Sequence, residues 1–253
     1  MLRSFWGAVL MVFVCCGISL AAHPLITDDA GTQGTGKSQI EINYEFDNED
    51  TDGVEESLHD ISTVISYGII DTLDLVVALP YQSITTKEEG VKSAEAGISD
   101  MTFELKWRFF EREGLSLALK PGLSISTGDD ERGLGAGKMG GSFHFIATQE
   151  IEPWAFHFDA GYGRNDTTVE EEETDIWHVS LAAEIQACKW LKVVANVGAE
   201  RNPDPEDDTP AAFILGGFIF PLTENLDLDI GVKTGLTEPE SDYALLAGVT
   251  IRF

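Results

Sequence analysis

Residues 39–47 read Q-I-E-I-N-Y-E-F-D and alternate polar with apolar side chains along their whole length. Ile40, Ile42, Tyr44 and Phe46 share one side of this pattern, and polar residues take the other side. Because the side chains of a β-strand point alternately to its two faces, the stretch is predicted to be a strand with one apolar and one polar face. The same alternation recurs in roughly twelve segments, the last of which ends at the final residue.

The connections between these segments are alternately short and long. The short ones lie near residues 68–72, 110–114, 149–153, 187–189 and 221–225, and the longer ones lie near 48–56, 84–97, 128–138, 166–174, 202–210 and 237–241. Outer-membrane barrels have short periplasmic turns and longer extracellular loops, and their tilted strands need about nine to eleven residues to cross the membrane. For residues 38–253 we therefore predict an all-β fold, a transmembrane antiparallel up-and-down β-barrel of about 12 strands with short periplasmic turns and long acidic extracellular loops.

The beginning of the chain predicts export. Arg3 is the only charge ahead of an apolar run at residues 5–20, which is too short and too close to the N-terminus for a good spanning helix. Small residues follow this run: Ser19 and Ala21 give a cleavage site, with Ala22 as an alternative, so residues 1–22 are predicted to be a cleaved signal peptide. Export and a barrel together predict location in the outer membrane of a Gram-negative bacterium.

Composition excludes two kinds of explanation. Lys and Arg number 16 against 44 Asp and Glu, which gives a formal net charge of -28. Nucleic-acid binding is excluded, because phosphate contacts require clustered basic residues. Once the signal peptide is removed, Cys188 is the one remaining thiol, so no intramolecular disulfide stabilises the fold.

Acidic residues concentrate in runs between the alternating segments, at residues 47–60, 166–175, 204–208 and 238–242. One interpretation is that like charge keeps these loops solvated. A second interpretation is that these loops bind divalent cations close to lipopolysaccharide. Outer-membrane lipid and lipopolysaccharide are the expected partners of the barrel. No run has the spacing and the glycine turn of a calcium-binding loop, so we assign no metal ligands and expect no cofactor.

The polar faces of the strands carry ionisable side chains of both signs. In a soluble sandwich these faces would be buried, and burying a charge is costly unless it is paired. In a barrel they line water or a narrow ligand path. We therefore predict that one set of residues lines the lumen and forms the ligand path, largely as ion pairs: Glu41, Glu45, Asp74, Asp100, Glu104, Lys106, Arg108, Lys120, His144, His157, Asp159, His178, Glu184, Lys192, Asp227, Asp229, Lys233 and Arg252.

The apolar faces are predicted to contact lipid, with aromatic residues near the strand ends forming interfacial girdles. On one such strand the lipid-facing residues are Met101, Phe103, Leu105, Trp107 and Phe109. The strand near residues 211–220 is apolar on both faces. Alternation therefore cannot choose which of its faces is turned inward, and its register stays open.

One pair of residues is similar to a catalytic arrangement. His178 and Ser180 are two positions apart on one strand, as are the His and Ser of some outer-membrane phospholipases, in which the pair faces lipid. Here alternation places Trp177 and Val179 on the lipid face and turns His178 and Ser180 inward. A nucleophile also needs a base within reach, which a shared face does not establish. We therefore predict that the protein is not an enzyme, and a lipid-active enzyme using this pair is kept as an alternative.

The N-terminal segment, residues 23–37, lies between the signal peptide and the first strand and is rich in Gly and Thr with little periodicity. One interpretation is a flexible periplasmic tail. The other is a plug inside the lumen, which would bring carboxylates to basic side chains, namely Asp28 and Asp29 to Lys106, Arg108 or Lys120. A barrel of about 12 strands has a bore between that of filled eight-stranded barrels and that of open porins, which a short segment is able to block.

Several motifs resemble those of one family. They are the opening HPLITDDAGTQGTGK at residues 23–37, YGIIDTLDL at 67–75 followed by ALPY at 78–81, GISD at 97–100 with KWR at 106–108, PGLSISTGD at 121–129, and VTIRF at 249–253. In these motifs the chain resembles the outer-membrane proteins grouped as "putative MetA-pathway of phenol degradation". The resemblance covers nearly all of residues 23–253 and implies an outer-membrane channel or transporter for passive uptake of small molecules, including aromatic or hydrophobic ones.

Two further expectations complete the prediction. The main alternative to a channel is a structural or surface barrel that transports nothing and whose acidic loops bind divalent ions. The terminal aromatic residue, Phe253, is of the kind that barrel-assembly machinery recognises in many outer-membrane proteins. That machinery is therefore an expected partner during biogenesis, whichever of the two functions the barrel has.

Overall fold

The computed structural model describes residues 23–51, 53–88, 90–165 and 173–253. The predicted signal peptide and most of the acidic run at 166–175 lie outside these residues. The described chain is built almost wholly of strands, with one 3₁₀ turn at Asp130–Arg132. The strands are β1 (Ser38–Thr51), β2 (Val54–Ile70), β3 (Leu73–Glu88), β4 (Val91–Ile98), β5 (Met101–Arg112), β6 (Leu115–Ile125), β7 (Gly140–Ile151), β8 (Trp154–Asn165), β9 (Asp175–Cys188), β10 (Leu191–Glu200), β11 (Ala211–Thr223), β12 (Leu226–Gly235) and β13 (Tyr243–Arg252).

The strands form one antiparallel sheet that closes on itself. Strands that follow one another in the chain pair, except that β4 and β5 both pair with β3, and β1 pairs with both β2 and β13, which closes the barrel. β3 pairs with β5 as far as Ala78 and with β4 from Tyr81 onward, so β4 and β5 are two parts of one wall strand interrupted at Ser99 and Asp100. The barrel is therefore twelve-stranded, which confirms the predicted fold class. Among the described residues, no helix is long and apolar enough to cross a membrane.

The start of β1 and the end of β13 lie at the same end of the barrel, as an even number of strands requires. The backbone amide of Phe253 donates to the carbonyl of Ser38 at 2.9 Å, and Gln39 pairs with Arg252. The predicted short connections are all tight turns at this end, which we call the turn end. One of them needs positive φ at two successive residues, Glu113 at 53° and Gly114 at 80°. The opposite end is called the loop end.

Two of the predicted long connections are not irregular loops. Residues 48–56 continue the β1–β2 ladder to the pair Thr51 and Val54, and residues 84–97 continue β3–β4 to the pair Glu88 and Val91. β1, β2 and β3 are accordingly 14, 17 and 16 residues long, more than a membrane crossing needs. These extensions carry polar side chains on both faces. They remain paired because a hairpin in water still satisfies its backbone donors and acceptors in the ladder.

Alternation correctly predicts the two faces of most strands. On β5, Leu105, Trp107 and Phe109 are 42%, 49% and 41% exposed on the outer surface, whereas Lys106 between them is 8% exposed. An isolated soluble protein would not present such rows of exposed apolar side chains, and lipid is the environment that covers them. The outer surface of the membrane-spanning wall is therefore apolar, and most of its inner surface is polar.

The strand whose register stayed open is resolved by its neighbours. On β11, Phe213, Leu215 and Ile219 are buried inside the barrel, while Ile214 and Phe218 face outward. Phe213 and Leu215 form a cluster with Ala244 and Leu246 of β13, and Leu25 of the N-terminal segment packs against it. This part of the wall is apolar on its inner face because an apolar part of the N-terminal segment covers it.

Candidate functional site

The N-terminal segment runs inside the barrel and begins its contacts at the turn end. The amide of Gly36 donates to the carbonyl of Gly68 at 2.8 Å, and both the amide and the hydroxyl of Thr35 donate to the Asp71 carboxylate. Thr32 donates to the Asp71 carbonyl at 2.8 Å. The β2–β3 turn thus holds the end of the segment that is joined to β1.

Paired charges hold the middle of the segment. Asp28 accepts from Lys106 Nζ at 2.8 Å and from Lys120 Nζ at 2.9 Å, on the neighbouring strands β5 and β6. Lys120 also contacts Glu104 at 3.4 Å, and Lys106 lies 3.8 Å from Asp29. The two lysine side chains are only 10% and 14% exposed. A carboxylate from the segment therefore neutralises ammonium groups that would be costly to bury alone.

The two carboxyl groups of the segment respond to this surrounding in opposite directions. Burial would raise the pKa of Asp28, but the adjacent ammonium groups of Lys106 and Lys120 outweigh burial and hold that pKa well below its usual range. Burial raises the pKa of Asp29 to about 7, because the more distant Lys106 compensates only in part and the Asp28 charge adds to the rise. Asp28 is thus the ion-pair partner, and Asp29 retains a proton over most of the acidic range.

The raised pKa of Asp29 predicts pH-dependent docking of the segment. In water this carboxyl ionises near pH 4, whereas in the docked segment it does so near pH 7, so docking binds a proton within that window. The contribution of this proton is complete below pH 4 and is lost as the pH rises towards 7. In single-channel recordings, the fraction of time spent closed is expected to fall as the pH rises from about 4 to about 7.

Asp29→Asn is the control for this pH effect, because the amide cannot ionise. The difference between the wild type and this variant isolates Asp29 from the other ionisable groups of the protein. The same pH dependence in both proteins would contradict the assignment to Asp29.

The next part of the segment bonds to neutral polar side chains. Asn196 of β10 accepts from the amides of Ile26 and Thr27 at 2.8 and 3.0 Å and donates to the Thr27 hydroxyl at 2.7 Å. Thr27 in turn donates to Ser180 of β9 at 2.8 Å. The amide of Ala30 donates to Thr148 of β7 at 2.9 Å. These bonds satisfy the backbone of an irregular chain that would otherwise be buried without partners.

The first described residues contact the far wall. His23 Nδ1 donates to Asp229 of β12 at 2.5 Å. Pro24 is buried against two inward-facing glycines, Gly217 of β11 and Gly231 of β12. A Cβ at Gly231 would lie 2.8 Å from Pro24, closer than van der Waals contact allows. The segment thus crosses the interior from the β2–β3 turn to β12.

Gly231 offers a test of this docking without a change of charge. Gly231→Ala is expected to displace Pro24 and to increase the open fraction in bilayer recordings severalfold, because the new methyl group occupies the niche that Pro24 fills. Gly216→Ala is the matched control, since a Cβ there meets nothing within 4 Å on the outer face of β11. Equal open fractions for the two variants would show that the niche does not hold the segment.

None of the residues predicted to line the lumen is fully exposed. Lys106, Lys120, Asp74 and Asp229 contact the N-terminal segment directly. Most of the others form pairs on the inner wall: Lys192 with Glu184 at 3.1 Å, Arg252 with Asp227 at 2.8 Å, His144 with Asp159 at 2.9 Å, His178 with Glu200 at 3.5 Å, His157 with Thr148 at 3.0 Å, and Glu41 with Gln39 at 2.6 Å.

The remaining residues of that set lie nearer the two ends. Lys233 contacts Glu45 at 3.0 Å, Asp47 at 3.4 Å and Glu240 at 3.1 Å near the loop end. Asp100 accepts from the backbone amides of Thr127, Gly128 and Ala136 and thereby orders the β6–β7 loop. Arg108 donates to the Asp71 carbonyl at 3.2 Å at the turn end. Of the three basic residues suggested for Asp28 and Asp29, Arg108 has its contacts elsewhere.

Sequence reasoning missed the neutral members of the site. Asn196, Thr148 and the glycine niche around Pro24 carry no charge and did not stand out among polar residues of the inner faces. Their position is still readable from parity, because Asn196 lies an even number of residues from Lys192 on the same strand. Alternation does not show, however, that the N-terminal segment covers these side chains.

The His178 and Ser180 pair is a bonded pair inside the wall. His178 Nε2 lies 2.9 Å from Ser180 Oγ, so a base is within reach of the hydroxyl. Both side chains point inward, as predicted, and Ser180 is 2% exposed beneath Thr27 of the N-terminal segment. Ser180 is therefore bonded both to His178 and to the N-terminal segment. In the described part of the chain, no group of three or more His, Cys, Asp or Glu is placed to hold a metal ion.

Solved structures with the same architecture are outer-membrane barrels. The COG4313 outer membrane channel from Pseudomonas putida F1 matches with a TM-score of 0.72 at 15% identity, over 89% of this chain and 98% of that one. The NanC porin matches with a TM-score of 0.55 at 7% identity, over 84% and 98%. The β domain of the Bordetella autotransporter BrkA matches with a TM-score of 0.58 at 10% identity, over 87% and 100%.

An apolar outer surface, a largely polar interior and a closed antiparallel sheet define the class of this protein as a transmembrane β-barrel, with the fold that outer-membrane channels and porins share. The profile of the family described as "Putative MetA-pathway of phenol degradation" matches residues 24–253. The chain belongs to this family, which confirms the resemblance noted in its motifs. The sequence has no significant match among curated proteins.

Proposed function

We propose that the protein is an outer-membrane channel for passive uptake of small molecules, and that its N-terminal segment controls whether the lumen conducts. The observation that carries this proposal is the chain of contacts from Asp71 through Asp28 to Asp229, which crosses the interior of a barrel of intermediate bore. A barrel of purely structural use has no need of a separate segment that is held inside it by side-chain bonds.

Small molecules with aromatic or apolar parts are the proposed solutes. The family description supports this class, and so does the mixed inner surface, which combines charged pairs with the apolar cluster around Leu25. Passage would be diffusion through the lumen, with no energy source involved. Residues 23–37 would act as a plug, and residues 38–253 would form the transmembrane wall.

Location and biogenesis follow from the same proposal. Residues 1–22 would direct export and be removed, and the barrel would insert among outer-membrane lipid and lipopolysaccharide with its loop end outside. Phe253, which is 69% exposed at the turn end, would be available to barrel-assembly machinery.

Planar-bilayer conductance of the purified, heat-modifiable mature protein tests the channel proposal. Unitary current steps with closures are expected from a channel whose plug moves. A folded barrel that gives no steps, in the wild type and after removal of the plug, would contradict the proposal and favour a structural barrel. Neutralising the acidic loops and measuring envelope integrity would then test that alternative.

A further inference from the structure

A cavity of about 330 Å³ lies near the loop end between the wall and the N-terminal segment. Its lining combines the imidazoles of His144 and His178, the carboxylates of Asp28, Asp159 and Glu200, the ammonium group of Lys120, and the apolar side chains of Ile26 and Ile176. Such a volume is typical of small-molecule sites, and the two isoleucines give part of an otherwise charged lining an apolar surface. Ile26 comes from the segment itself, so docking of the segment completes the cavity.

The space is created by glycines on the inner face of β8. Gly161 and Gly163 both line the cavity and present no side chain to it. A Cβ at Gly161 would lie 2.6 Å from the ring of His144, so that glycine is needed for the imidazole to take its place. A Cβ at Gly163 would have no neighbour closer than 3.9 Å. The cavity can therefore be filled from Gly163 without a change of charge.

The charges around the cavity do not balance. Asp28 is matched by Lys106 and Lys120. Asp159 and Glu200, in contrast, are paired with imidazoles, at 2.9 Å to His144 and 3.5 Å to His178. Among the described lining residues, three carboxylates therefore face one ammonium group, that of Lys120. The cavity therefore holds an excess of negative charge, which a bound cation would neutralise.

A second cavity of about 330 Å³ at the loop end has the same sign of charge. Five carboxylates line it, and Lys233 is its one basic lining residue; the acids are Glu45, Asp47, Glu49, Glu56 and Asp60. Lys233 is already in contact with Glu45 and Asp47. A concave surface of one sign raises the local concentration of ions of the opposite sign, so the loop end favours the arrival of cations.

We propose that the inner cavity is a binding site for small organic cations, such as amines or quaternary ammonium compounds with a compact apolar body. The cationic group would be held by Asp159 and Glu200, and the apolar body would lie against Ile26 and Ile176. The proposal deepens the channel function, on which its transport aspect rests, by assigning a charge class to the solute. Binding itself is independent of whether the barrel conducts.

Binding to the purified full-length protein is the direct test, with two probes of similar shape and opposite permanent charge. In titration calorimetry, phenyltrimethylammonium is expected to bind at least tenfold more tightly than benzenesulfonate. Equal affinities, tighter binding of the sulfonate, or no binding of either probe would overturn the proposal.

Two variants locate the site. Glu200→Gln is expected to weaken binding of phenyltrimethylammonium at least fivefold, whereas Glu224→Gln, with the same change of charge in the exposed β11–β12 turn, should leave binding unchanged. Gly163→Val should also weaken binding, by filling the cavity. Equal effects of Glu200→Gln and Glu224→Gln would mean that net charge alone attracts the cation and would overturn the site.

Bilayer recordings separate this proposal from the channel function. Channel steps with no preference for phenyltrimethylammonium over benzenesulfonate in binding would leave the channel standing and reject the cation site. Tight binding of the cation by a barrel that never conducts would support the site and reject the channel.

Discussion

Deletion of residues 23–37 is expected to convert a mostly closed barrel into an open pore. The segment crosses the interior from the β2–β3 turn to β12, and in its absence the lumen is lined only by the inner wall. A twelve-stranded barrel is wider than the filled eight-stranded kind, so unitary conductance in a planar bilayer should rise roughly fivefold or more. The closures of the full-length protein should also disappear.

Two controls make this result interpretable. Heat-modifiable migration in electrophoresis establishes that the deleted protein still folds as a barrel, which is expected because the β1–β13 ladder closes the wall without the segment. The Gly231→Ala protein keeps the segment but is expected to displace it. Its open fraction should therefore lie between those of the wild type and the deletion protein. Unchanged conductance from a folded deletion protein would refute the role of the segment as a plug.

Replacing one carboxylate, in Asp28→Ala, is expected to have the second-largest effect. The change leaves Lys106 and Lys120 facing each other without the group that bonds to both. Removing one partner of a buried ion pair typically costs about 3 to 5 kcal/mol, since a buried charge is left uncompensated. A cost of this size, borne by the docked state, lowers the docked-to-undocked ratio roughly a hundredfold or more and should leave the channel mostly open.

A compensating variant distinguishes this mechanism from general damage. The fourfold change Asp28→Leu, Glu104→Gln, Lys106→Met and Lys120→Met replaces the charged cluster by uncharged side chains and should restore long closures, because Glu104, which contacts Lys120, is neutralised together with its partner. Asp208→Ala, in an exposed loop, removes the same charge and should behave as the wild type. Asp28→Ala protein with wild-type closures would show that the ion pairs do not hold the segment.

The faces of the strands and the closure of the barrel could be predicted from the sequence because alternation is a local property. The apolar residues of each strand identify its lipid-facing side. On β5 these are Leu105, Trp107 and Phe109, so Lys106 between them faces inward. The even number of strands and the alternation of short turns with longer loops then predict that the sheet closes into a barrel with its turns at one end. This pattern also predicts which ionisable residues lie inside, since all of them share the parity of the polar faces.

The partners inside the barrel could be suggested only in part. Opposite charge makes Lys106, Arg108 and Lys120 equally good candidate partners for the two carboxylates of the N-terminal segment. Arg108 instead donates to the Asp71 carbonyl, because it lies closer to the turn end of the barrel than the two lysines do. We call the position of a residue between the two ends of the barrel its height. Height is set by the register between strands, which alternation within a single strand does not contain.

The sequence by itself determined a closed barrel with an apolar outside and a charged inside. Side chains alternate between the two faces of every strand, so the face of each residue can be assigned without knowing which strands are its neighbours. Only the tertiary structure decided which face of β11 turns inward and where the N-terminal segment lies. Both faces of that strand are apolar, and the choice depends on Leu25, which comes to it from nearly two hundred residues away in the chain. The lengths of the β1–β2 and β3–β4 hairpins were likewise decided by pairing, since polar residues on both faces suit a loop and a solvated ladder equally well.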